Sequence, residues 1–78
     1  MITVKFFSIL RIESGIKELT LEASTVKALC KAICAHTDRI SAKELERCVV
    51  LINGQEAKKH SKLQDGDQVT FLSPVAGG

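Results

Sequence analysis

Apolar residues recur at every second position at both ends of this chain and at every third or fourth position between, so strands at the two ends must share a helix from the middle. Over residues 2–10, Ile2, Val4 and Phe6 hold one parity, and Phe7 and Ile9 hold the other. That is the pattern of a strand covered on both sides for part of its length. A turn at Ser14-Gly15 leads into residues 16–22, where Leu19 and Leu21 alternate with polar neighbours and complete a hairpin. Ser24 or Thr25 offers an N-cap oxygen, and Val26, Leu29, Cys30 and Ile33 then form a stripe opposite Lys27 and Lys31, which predicts the main helix. Ser41, with Glu44 three residues on, has the form of a capping box and marks a second helical turn in a polar stretch. Cys48-Val49-Val50-Leu51-Ile52 is β-rich, and Asn53-Gly54 tolerates the positive φ of a two-residue hairpin leading to a short returning strand. Asp65-Gly66-Asp67 turns the chain into a last strand, Gln68-Val69-Thr70-Phe71-Leu72, stopped by Pro74, which has no N–H for a ladder.

This order of elements is α+β, and a right-handed crossover brings the last strand parallel beside the first, giving a mixed sheet wrapped on one helix. Seventy-eight residues hold one domain and leave little room for an enclosed active site. Residues 1–74 read as that domain and 75–78 as a flexible tail. With 45% apolar and 26% charged residues spread along the chain, neither disorder nor a coiled coil is indicated. Eleven basic and nine acidic residues leave a net charge of +2, with no arginine-rich or aromatic-interleaved basic run, so nucleic acid is not an expected partner. No apolar run approaches membrane-spanning length and the first residues lack the pattern of a signal peptide, so no membrane partner is expected and a cytoplasmic location is. Cys30, Cys34 and Cys48 make an odd count that fits free thiols in a reducing compartment.

The chemistry concentrates in the tail. Ala76 carries one methyl group, and Gly77 and Gly78 carry no side chain, so the segment fits a narrow channel. A carboxylate at Gly78 becomes an electrophile once another enzyme adenylates it with ATP. Two glycines by themselves also read as a frayed end; their place directly after a strand and a proline favours function. Parity puts Val69 and Phe71 on one face of the last strand and Thr70 and Leu72 on the other, with Phe7 beside them. Phe7, Leu72 and Val75 are then expected to form an apolar patch around the root of the tail, or Phe7 is ordinary core. Arg11 is either a contact for an acidic residue of a partner or a solvated charge.

Elsewhere the residues carry little chemistry. Cys30 and Cys34, one helical turn apart with His36 near, fall short of a four-ligand metal site and read as helix packing; Cys48 reads as core. Lys58-Lys59-His60 reads as a solvated loop. Asp65 and Asp67 read as turn chemistry, and neither histidine sits in a triad pattern.

The run Leu63-Gln64-Asp65-Gly66-Asp67-Gln68-Val69-Thr70-Phe71-Leu72-Ser73-Pro74-Val75-Ala76-Gly77-Gly78 resembles the small subunit of molybdopterin synthase, the MoaD-type carriers of the ThiS/MoaD sulfur-carrier family. The resemblance extends to Val4-Lys5-Phe6-Phe7-Ser8-Ile9-Leu10-Arg11, Ser24-Thr25-Val26 and Val50-Leu51-Ile52-Asn53-Gly54, and is weakest over residues 35–47. It implies a ubiquitin-like β-grasp fold and a cycle in which an E1-like adenylating enzyme of MoeB type activates Gly78. A persulfide sulfur, supplied by a sulfurtransferase or cysteine desulfurase, replaces AMP, and the thiocarboxylate enters a MoaE-type large subunit that makes molybdopterin from cyclic pyranopterin monophosphate. On that resemblance Gly78 carries the sulfur and Gly77 gives clearance, while Phe7, Arg11, Leu72, Pro74, Val75 and Ala76 meet partners. The chain would be a non-catalytic subunit and co-substrate with no bound cofactor, ATP being used by the activating enzyme. A ThiS-like carrier for thiazole synthesis, a carrier for another pathway, a ubiquitin-like protein modifier and a bare interaction domain remain the alternatives. Fold alone does not separate them.

Overall fold

Alternation in the first strand decides which side of the sheet becomes the core. In the computed structural model, which describes residues 1–72, β1 (Ile2–Phe7) buries Ile2, Val4 and Phe6. Thr3 and Lys5 on the other parity are half-buried and Phe7 is exposed. The expectation of a strand covered on both faces is therefore corrected: only one face is closed. Expectations that fall on Pro74, Val75, Ala76, Gly77 and Gly78, including the boundary between domain and tail, lie outside the described residues.

The strand also stops sooner than its apolar run. Ser8–Ser14 is a helix, α1, rather than the end of β1, so Ile9 belongs to no strand face. A short apolar run does not fix a period, and here Gly15 decides it. At φ 72° Gly15 forms a left-handed C-cap whose N–H donates to the Arg11 carbonyl at 3.0 Å. β2 (Glu18–Leu21) still pairs antiparallel with β1, from Lys5↔Glu18 to Ile2↔Leu21, but the two are joined through α1 and not through a tight turn.

α2 (Val26–His36) starts where Thr25 Oγ1 accepts from the Ala28 N–H at 3.1 Å, settling the choice between Ser24 and Thr25. It lays Val26, Leu29 and Ile33 against the sheet. The segment after β4 closes over its N-terminus: Val26 N–H donates to Ser61 O and Lys27 N–H to Lys59 O, both at 3.1 Å. α3 (Ala42–Arg47) carries the full capping box between Ser41 and Glu44. β3 (Val49–Ile52) and β4 (Gln55–Ala57) form the hairpin at Asn53-Gly54, both at positive φ, and β5 (Gln68–Leu72) ends the described chain.

Strand order is β2-β1-β5-β3-β4, with β1 and β5 parallel at the centre. Phe6 and Phe71 pair in that register and stack with centroids 5.8 Å apart, closing the core over α2 with Val4, Val69, Ile40 and Leu45. This is the β-grasp arrangement, with the parallel central pair and the wrapped helix as expected.

Candidate functional site

Because partners in register face the same way, the sheet assembles one apolar row on its open face at the end where β5 stops. Phe7 pairs with Leu72, and Leu72 pairs on its other side with Val49. Phe7 is 40% and Val49 41% exposed, and Leu72 is half-buried. Phe6, Phe71 and Val50, one residue along each strand, turn to the core side. The next row on the open face runs Glu18, Lys5, Thr70, Leu51, Glu56, so charged groups border the apolar one. An apolar centre with a polar rim is how partner surfaces are built.

Of the residues expected in this patch, Phe7 and Leu72 come together and Phe7 is not core. Val75 lies outside the described residues. Arg11 sits exposed on α1, immediately after the row, and among the described residues it enters no ion pair. Val49 is the residue that sequence reasoning missed. Alternation within residues 48–52 already separates Val49 from Val50, but only the non-local pairing of β3 with β5 puts it beside Leu72. Ile12, 80% exposed on α1, was hidden by reading that stretch as strand and turn.

Cys30, Cys34 and Cys48 are free and half-buried, packed against the core. Burial pushes the Cys30 thiol up, with Cys34 next in effect, and burial, with Cys30 and Glu44, pushes Cys48 up to about 11. The Cys48 thiol donates to the Glu44 carbonyl at 3.2 Å. Among the described residues no group of three or more His, Cys, Asp or Glu side chains is disposed to hold a metal ion. Asp67 does turn work: its carboxylate accepts from Gln64 N–H at 2.8 Å and from Asn53 Nδ2 at 3.0 Å, and Asp65 pairs with the Met1 amine. No helix among the described residues is long and apolar enough to cross a membrane.

The profile of the ThiS family matches residues 4–78. A molybdopterin synthase sulfur carrier subunit from Escherichia coli is 33% identical over 81 residues, an alignment that takes in 100% of both chains. Among solved structures, the complex of subunits 1 and 2 of the molybdopterin-converting factor from Helicobacter pylori contains a chain 26% identical, with a TM-score of 0.72, covering 99% of this chain and 97% of that one. SAMP1 from Haloferax volcanii superposes with a TM-score of 0.86 at 21% identity, covering 99% of this chain and 98% of its own, a likeness of fold.

Proposed function

Since the chain belongs to the ThiS family, we propose that it is a sulfur carrier of molybdopterin synthesis, working through the carboxyl group of Gly78. The observation that carries this reading is the full-length match to the Escherichia coli sulfur carrier subunit, which includes the Gly77-Gly78 pair. The open-face row of Phe7, Leu72 and Val49, at the end of β5 from which Gly77 and Gly78 are five and six residues away, supports it as a docking surface.

In this mechanism the chain supplies an acyl group and the partners supply the catalysis. An E1-like enzyme transfers AMP from ATP to the Gly78 carboxylate and releases pyrophosphate, making the carbonyl carbon electrophilic. The outer sulfur of a persulfide on the sulfur donor attacks that carbon and AMP leaves. A second thiol then cleaves the resulting acyl disulfide and leaves a thiocarboxylate on Gly78. The large subunit receives it and passes its sulfur to cyclic pyranopterin monophosphate. Gly77 and Ala76 keep the tail thin enough for both active sites, Pro74 and Val75 form its root, and Arg11 meets an acidic group of the activating enzyme.

Intact mass spectrometry of the chain after incubation with ATP, the activating enzyme and a sulfur donor tests the reading. The expected result is a gain equal to sulfur minus oxygen, absent when Gly78 is deleted, together with molybdopterin formation when the large subunit and the pterin are added. Isopeptide conjugates of higher mass in place of the thiocarboxylate would make the chain a protein modifier. No mass change with an enzyme proven competent on another carrier would overturn the reading.

A further inference from the structure

On the helical side of the sheet, α2, α3, β3, β4 and the segment after β4 surround an open groove of about 500 Å³. Its floor is apolar, made by Val26, Leu45, Val50 and Ala57, and its walls carry the three thiols, Cys30, Cys34 and Cys48. Burial raises the pKa of Cys30 and Cys48, so these two are neutral near pH 7 and add no negative charge.

The rim has the opposite character. Lys27, Lys31, Lys58 and Lys59 stand around the opening, all exposed, and Glu46 is the one acidic residue among those lining it. Lys59 reaches Glu46 only at 3.9 Å, an exposed pair of little strength. The clustering is built into the backbone, because the Lys27 N–H to Lys59 carbonyl bond ties the segment after β4 to the first turn of α2. Without these four lysines and Glu46, the remaining chain holds seven basic and eight acidic residues, so the molecule's positive excess lies at this groove.

We propose that the groove docks an acidic segment of a partner protein, with aliphatic side chains on the apolar floor and flanking carboxylates against Lys27, Lys31, Lys58 and Lys59. Charge complementarity selects the occupant. A peptide fits better than a compact small molecule, because the groove is open and runs from α2 and α3 to Ala57 at the end of β4, the edge strand of the sheet, and to Lys58 and Lys59 beyond it. The site is separate from the tail and its row of Phe7, Leu72 and Val49: Val50 lines the groove from one face of β3, and Val49 belongs to the other. The proposal therefore stands whether or not Gly78 carries sulfur.

The test is a titration of the isotope-labelled full chain with a synthetic peptide of leucine, valine and leucine flanked by three glutamates on each side. Amide shifts are expected at Cys30, Lys31, Cys34, Val50 and Lys59, with Phe7 and Leu72 unmoved. Lys31→Glu with Lys59→Glu is expected to weaken binding at least about tenfold, the two sites being exposed so that the spectrum of the variant stays that of the folded chain. A peptide with three glycines at its centre is expected to lose binding to a similar degree. Equal binding by the glycine peptide would reduce the effect to diffuse charge attraction and overturn the proposal. So would shifts confined to other surfaces, or binding of anilinonaphthalene sulfonate in the groove with no binding of the peptide, which would mark a small-molecule site.

Discussion

Cys48 shows how one half-buried thiol ties stability to pH. Its thiol, at the C-cap of α3, donates to the Glu44 carbonyl, and burial lifts its pKa from 9.0 to about 11. Between those values the unfolded chain has released the proton and the folded chain has kept it, so unfolding is coupled to proton loss and stability falls as pH rises. The contribution is complete below about pH 9 and is lost as pH passes about 11. Comparing urea midpoints of the parent and Cys48→Ser across this window isolates it from everything else that both proteins share. The parent is expected to lose stability more steeply, and parallel curves would show that the thiol is open to solvent.

At the scale of elements, the clear parts were those with a local physical signature. Asn53-Gly54 named its hairpin because both residues accept positive φ, and Ser41 with Glu44 named α3 because the box satisfies two backbone N–H groups inside four residues. Residues 8–14 had no such signature. Their apolar run suited a strand, and the helix is set by its termination at Gly15. Gly15→Ala tests that account: an added Cβ meets only Arg39 Nη1, at 3.5 Å, so space is not the obstacle, and the cost is that of a left-handed conformation. The variant is expected to lose about 1–2 kcal/mol in urea unfolding with an unchanged slope. A neutral result would mean that α1 ends without needing the left-handed residue.

Considered whole, the molecule has two separate candidate docking faces, and only part of one was legible in the sequence. Parity within β1 and β5, together with the right-handed crossover that makes the two strands parallel neighbours, was enough to put Phe7 beside Leu72. Val49 required the order β1-β5-β3, which depends on how the β3-β4 hairpin docks and leaves no mark within any one segment. The groove was less legible still, since its lysines come from α2 and from the segment after β4, and only the tertiary fold joins them. If the open-face row receives the large subunit, its residues contribute to binding beyond what they contribute to folding. Phe7→Ser combined with Val49→Ser is then expected to cost about 1–3 kcal/mol in unfolding, because both side chains, at 40% and 41% exposed, are still partly covered in the sheet. The same pair is expected to weaken binding to the large subunit, measured calorimetrically, by about 10- to 100-fold, the range of a central aromatic anchor lost with its neighbour. Binding of the acidic peptide in the groove should not change in this variant, since Val49 and Val50 lie on opposite faces of one strand. If large-subunit affinity stays at the parent value, the row is not the docking surface; if both affinities fall together, the two faces are coupled through β3 and do not act independently.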